Sequence, residues 1–283
     1  MLHPLAISIA PLVATAALSI ACAVLSVVVV ARSWAFIGEG ISHSGFGGAG
    51  LAWILMLLAP RLTNQPWLID ATIVVFCIGA AVAIGYLSHG NRVTGDAAIG
   101  IFLVASLAFG FLADGIFAHV HNGAHPAAFD EVLLGQTAQL SPRLALAALS
   151  ISLAVLLVVA LLNKEILAYC FDPLMARASG VRTGFIHYLL MIVIAITIMV
   201  GIHITGSLLV TALLVLPGVT ANLLSRRLNT VVLLAIAAAL ISAIVGVALN
   251  AAWRFIPTGP AIVLTLFLEF VAVYIAAHLR PRS

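Results

Sequence analysis

The sequence predicts an all-α protein, a polytopic transmembrane helical bundle of eight or nine spans with its amino terminus outside and its carboxy terminus inside. Three observations carry that reading. Of 283 residues, 64% are hydrophobic and only 7% are charged. Mean hydropathy is +1.27, and the long apolar runs recur along the whole chain. A soluble domain carries about 25% charged residues, so this chain could not cover its surface in water. The composition excludes a cytosolic enzyme, a nucleic-acid reader and a disordered scaffold. At about 20 residues per crossing, there is room for eight or nine helices and short loops.

The elements follow from the apolar runs and their breaks. The first run, Leu5 to Val30, is too long for a signal-peptide core and has no Lys or Arg ahead of it, so it reads as a retained span. A second covers 35–59 and ends at Pro60, a third covers 67–87 and a fourth 96–117. A polar loop precedes a fifth span at 143–162, and 163–183 is an amphipathic, charge-bearing connection. Residues 184–224 are long enough for two short crossings with a turn near Thr205 and Gly206; one span plus a broken or re-entrant element is the alternative. The last two spans cover 229–250 and 259–278, the latter opened by Ile256-Pro257-Thr258-Gly259-Pro260.

Cytoplasmic loops hold the excess of Lys and Arg. With the amino terminus outside, Arg32, Arg92, Lys164, Arg177, Arg182, Arg226, Arg227, Arg280 and Arg282 fall inside, against Arg61, Arg143 and Arg254 outside. That bias supports an odd number of crossings, nine, and the net charge of +3 marks orientation rather than a partner. Without repeats or low-complexity tracts, residues 1–283 read as a single membrane domain. The three cysteines, Cys22, Cys77 and Cys170, give no disulfide framework.

Ionisable groups at membrane depth are costly and therefore informative. The densest set is in the second span, around Gly38-Glu39-Gly40-Ile41-Ser42-His43-Ser44. Glu39 and His43 are four residues apart, which stacks them on one helix face. His43 is placed about nine residues into the span, roughly 13 Å from its start and near the bilayer centre. A carboxylate oxygen and an imidazole nitrogen on one face suit a divalent transition ion. Two ligands do not close a four-coordinate site, which fits transient contact during passage better than permanent binding. The alternative is a neutralised pair that locks two helices together.

The outer loop holds His119, His121 and His125, followed by Asp130 and Glu131; the three imidazoles can collect zinc or another borderline ion at the entrance, and the alternative is a solvated polar loop whose histidines have no such role. Asp114, near the outer end of the fourth span, and His203, near the outer turn, are weaker metal candidates, with a hydrogen-bonded packing role as the alternative for each. Glu269 in the last span and Asp70 in the third have no partner evident from sequence. The catalytic motifs of an enzyme are missing: there is no His-Glu-x-x-His and no Gly-x-Ser-x-Gly. The single lysine, Lys164, follows Leu161-Leu162-Asn163 rather than a glycine-rich loop, so ATP-driven work would need a second polypeptide. In the inner connection, Asp172 can cap a short helix with Pro173 in its first turn and Gly180 at its end. Exposed Leu174 and Met175 on such a helix suit a partner's groove, or alternatively the lipid headgroups.

Four stretches, in order, resemble the permease subunit of the metal-ion ABC importers, the family that takes up zinc, manganese or iron with a separate binding protein. Arg32 through Gly50 is similar to the family's Arg-…-Gly-Asp-x-x-Ser-His-…-Gly signature. Gly95-Asp96-Ala97-Ala98-Ile99-Gly100 is similar to its inner-loop Glu-Asp-x-x-Ile-Gly. Phe171-Asp172-Pro173-Leu174-Met175-Ala176-Arg177-Ala178-Ser179-Gly180 is similar to Phe-Asp-Pro-x-x-Ala-x-x-x-Gly. The fourth comprises Thr205 to Pro217 and Pro257 to Leu264. The resemblance implies a homodimer in a bacterial-type inner membrane, cytoplasmic ATP-binding subunits and an extracytoplasmic metal-binding protein.

The resemblance further implies that Glu39 and His43 are pathway positions and that Phe171–Val181 couples to the ATPase. It implies no permanently bound cofactor, only a transported metal ion, and ATP through the partner alone. The histidines at 119, 121 and 125 favour zinc over manganese or iron. Two departures stand out: Glu39 replaces the family's usual Asp, and Ser44-Gly45-Phe46-Gly47-Gly48 replaces an Ala-Leu-Pro-Gly type of run. Read without the family, two rivals stay open: a gradient-driven secondary transporter with Glu39 and His43 as proton relay, and a structural membrane protein.

Overall fold

The computed structural model describes residues 9–59, 67–89, 93–121, 142–253 and 256–279, which contain eleven helices and no strand. They are α1 (Ile9–Ala31), α2 (Ile37–Leu58), α3 (Trp67–His89), α4 (Gly95–Val120), α5 (Pro142–Leu161), α6 (Asn163–Phe171), α7 (Pro173–Ala178), α8 (Thr183–Thr205), α9 (Ser207–Leu224), α10 (Leu228–Ala252) and α11 (Thr258–Leu279). Among them, eight are long and apolar enough to cross a membrane. A ninth crossing results when α5 and its continuation α6 count as one span.

The 184–224 region is two separate helices, as the two-crossing reading expects. Gly206 sits between α8 and α9 at φ +84°, a left-handed conformation that residues with a Cβ avoid. Pro217 lies inside α9, where its missing N–H breaks one rung of the helical ladder. Where α1 ends, Ser33 adopts φ +55° while the Trp34 N–H donates to the Val29 carbonyl at 2.9 Å, closing the helix.

The helices gather into two compact units. One contains α1, α5, α9, α10 and α11. In it α1 is the central element, packed by α5, α9 and α10, while α11 lies on α9 and α10. The partner that sequence could not name for Glu269 is here: the Ser242 hydroxyl on α10 donates to its Oε1 at 2.9 Å.

The other unit contains α2, α3, α4, α6, α7 and α8. Its core is α2 held between α3 and α4. Lipid tails are as apolar as the helices, so close packing and buried hydrogen bonds hold such an interface rather than water exclusion. Accordingly α2 meets its neighbours with small residues. A Cβ on Gly48 would stand 2.7 Å from the Cα of Ile73, so the α2 and α3 backbones are in direct contact there. The Ser44 hydroxyl bonds the Gly40 carbonyl at 2.7 Å and lies 3.3 Å from that of Ser106 on α4. Gly40, Gly47 and Gly50 meet Ile99, Ser106 and Ala113 in turn, so α2 and α4 run parallel. Gly45 meets Cys77 while Gly48 meets Ile73, so α3 runs antiparallel to α2.

Candidate functional site

Local sequence explains how α2 presents its two polar side chains. With no proline in the 44–48 stretch, α2 continues unbroken from Ile37 to Leu58. Phe46 turns to α4, where its ring occupies the notch left by Gly110, lies 5.0 Å from the Phe111 ring and meets Trp53 edge-on at 5.8 Å. Between Ile37 and Gly50 every residue is buried except Glu39 and His43. The His43 and Glu39 side chains are 28% and 38% exposed. Over Ile37 to Gly50, α2 is therefore open at these two positions only.

The His43 Nε2 lies 3.1 Å from Glu39 Oε2. Two ligands about 2.0–2.2 Å from one ion, at tetrahedral or octahedral angles, stand about 2.8–3.6 Å apart. The pair thus has the bite of a metal chelate without rearrangement. The same spacing suits an imidazole N–H donating to the carboxylate. Glu39 stands in the first turn of α2, where the exposed N–H groups of the helix favour negative charge. Neither donor is a thiolate, which suits the harder divalent ions of the first transition row.

Because α2 starts at Ile37 and not at 35, His43 is its seventh residue, about 9 Å from the helix start rather than 13 Å. The pair sits in the first third of a 22-residue span.

The other metal candidates do not join it. Asp114 is buried on α4, fifteen residues past Ile99, which lies level with Gly40; that places it about 22 Å further along the helix. His119 is exposed in the last turn of α4. His121 caps that helix, its ring stacked 4.1 Å from that of Phe117 and its Nδ1 3.0 Å from the Phe117 carbonyl. His125, with Asp130 and Glu131, lies outside the described residues, as does the His203 side chain. Among the described residues, no three His, Cys, Asp or Glu side chains converge on one point.

The inner connection has the form its residues predict. Asp172 is the N-cap of α7, its Oδ1 accepting from the Leu174 and Met175 N–H groups at 3.0 Å each, with Pro173 first in the helix. At the other end Gly180 adopts φ +87°. Its N–H donates to the Arg177 carbonyl and that of Val181 to the Ala176 carbonyl, a Schellman closure. Ala176 faces inward and is buried, while Phe171, Leu174 and Met175 are 75%, 78% and 64% exposed. Arg177 reaches the Thr183 hydroxyl at 3.4 Å. A short, doubly capped helix and the last residue of α6 together display three large apolar side chains among charges.

Sequence reading passed over His187. It is buried on α8, bonded to Tyr169 of α6 and to the Gly85 carbonyl of α3. Its only sequence signal was a glycine in the last turns of the third span.

Comparison with known proteins meets the same architecture. The family described as "ABC 3 transport family" matches residues 6–277. The "Chelated iron transport system membrane protein YfeD" of Yersinia pestis is 31% identical over 271 residues, spanning 95% of this chain and 85% of that protein. The "Manganese transport system membrane protein MntC" of Halalkalibacterium halodurans is 33% identical over 265 residues, spanning 93% and 85%. The solved structure "PsaBC from Streptococcus pneumoniae in complex with Fab" shares the fold, with a TM-score of 0.72 over 93% of this chain and 89% of that one at 24% identity. With a family match from end to end and the four motifs in order on membrane-spanning helices, the chain belongs to the ABC 3 transport family and is a membrane permease subunit of the kind its motifs resemble.

Proposed function

We propose that the chain is the membrane permease of an ATP-driven importer of divalent transition-metal ions, with manganese and iron(II) as cargo ahead of zinc. The observation that carries this is the Glu39–His43 couple, 3.1 Å apart and the sole opening on its stretch of α2. The relatives named for manganese and chelated iron support the choice of cargo, as does a donor set of one carboxylate and one imidazole. Zinc rested on three loop histidines acting together, and the stacked, carbonyl-bonded His121 lends that no support.

In this reading residues 1–283 act as one permease domain in a bacterial cytoplasmic membrane, amino terminus outside, and two copies form the translocation unit. A metal-binding protein delivers the ion to the outer face. The ion exchanges its waters for Glu39 and His43 in passing. Hydrolysis in cytoplasmic ATP-binding subunits switches access, and the 163–183 segment receives that motion through Phe171, Leu174 and Met175.

Proteoliposomes holding the permease, its ATP-binding subunit and the binding protein are expected to accumulate manganese only with internal ATP and the complete set. Uptake by the permease alone, driven by a proton gradient, would instead identify Glu39 and His43 as a proton relay. The docking face has its own check. Leu174→Asp places a charge at the centre of the apolar trio, and central contacts dominate interface energy. Its affinity for the ATP-binding subunit is expected to fall by about 30-fold or more, read by co-purification and titration.

A further inference from the structure

We propose that His187 and Tyr169 form the link by which the docking helix α7 acts on α3, and through α3 on the α2 helix that carries Glu39 and His43. This rests on reading α7 as the docking site for the ATP-binding subunit.

Tyr169 stands two residues before Phe171, at the end of α6 that runs into α7. It is 4% exposed and His187 2%. The Tyr169 hydroxyl lies 2.6 Å from His187 Nδ1, and His187 Nε2 lies 2.9 Å from the Gly85 carbonyl. A carbonyl can only accept, so the ring hydrogen is on Nε2; Nδ1 of the neutral ring then accepts from Tyr169. One buried imidazole therefore ties α6, α8 and α3 together with a fixed sense of hydrogen bonding. The site is shaped for it. A Cβ on Gly85 would come within 3.2 Å of the Tyr188 ring and 3.4 Å of His187 Nε2, so a bare backbone is what lets the ring reach α3. The His89 ring packs 5.2 Å from that of His187 and 5.9 Å from that of Tyr188, closing the cluster.

The path continues as backbone contact. From this anchor α3 runs back along α2, where the Cys77 thiol meets the Ile41 carbonyl at 3.6 Å and Gly48 abuts Ile73. Displacement of α6 by a partner pulling on α7 is thereby delivered to α2 at Ile41, between Glu39 and His43. Hydrogen bonds of buried side chains are suited to this task because their geometry is narrow and no water competes for them.

The test measures manganese uptake and ATP hydrolysis on the same proteoliposomes of the full complex. Tyr169→Phe removes one hydroxyl and keeps the ring. It is expected to lower metal imported per ATP by about fivefold, the equivalent of one hydrogen bond, while subunit co-purification holds and melting temperature falls by no more than a few degrees. His187→Gln keeps a donor for Gly85 but loses the acceptor for Tyr169, and is expected to uncouple equally. It decides the matter if Tyr169→Phe assembles poorly. The double variant should lose no more than either single one, since all three delete the same bond. Unchanged import per ATP in both single variants, or losses that multiply in the double, would overturn the link. If Leu174→Asp still retains the ATP-binding subunit, the docking reading fails and this proposal falls with it. If Leu174→Asp releases it while Tyr169→Phe stays coupled, the link alone is wrong.

Discussion

Glu39→Gln together with His43→Ala is expected to reduce metal uptake by about 100-fold or more, with assembly and partner binding intact. Loss of a single supporting group around a metal already costs about 10–100-fold in affinity, and here both donors on the open face of α2 are removed. Each single substitution should be severe, because a lone carboxylate or a lone imidazole has no chelate partner. The measurement is uptake of radioactive manganese into proteoliposomes, beside the melting temperature of the purified complex. The two side chains are partly exposed and make an i, i+4 pair, the class that contributes only about 0.3–0.5 kcal/mol to a helix. Stability should therefore barely change. A large fall in melting temperature with uptake preserved would make the pair a helix lock and sink the transport role.

The second large effect is steric. Gly48→Ala should destabilise the permease by about 1–3 kcal/mol, the usual range for overpacking. Alanine is otherwise the better helix former by about 1 kcal/mol, so the sign is decided by what the methyl group meets. It meets the Ile73 Cα at 2.7 Å and the Thr72 carbonyl at 3.0 Å, backbone atoms that no rotamer change can clear. α3 must shift as a whole. Gly47→Ala differs instructively, since its new methyl meets the edge of the Phe76 ring at 2.8 Å. Trimming Phe76 to Leu should rescue Gly47→Ala and leave Gly48→Ala unrescued, as read by thermal unfolding in detergent.

How much of this the residues announced depends on the range of the interaction. Apolar runs, the glycine turn at 206 and the Asp172–Pro173–Gly180 signals act within one or two helical turns, and the long spans appear within a few residues of where they place them. The Glu39–His43 stack is also local, being a matter of helical pitch. Its distance from the helix start was misjudged because Phe36, an ordinary apolar residue, is the non-helical cap of α2 and gives no stop signal. Contacts between helices were not legible. The seat of the Phe46 ring against Gly110 requires knowing that α4 runs beside α2, and His187 meets Gly85 across 102 positions of chain. The departure at 44–48 was visible as unusual, but its meaning, an aromatic knob with a matching notch, belongs to tertiary packing.

The doubly capped α7 has a consequence for timing. A docking peptide that must first coil up loses conformational freedom on encounter, and its affinity is diminished by that loss. Here Asp172 and Gly180 fix both ends of a six-residue segment in advance. On the docking proposed above, the segment would meet its groove already preorganised, so affinity could reside in a few side chains while the joint stayed stiff enough to pass on a push.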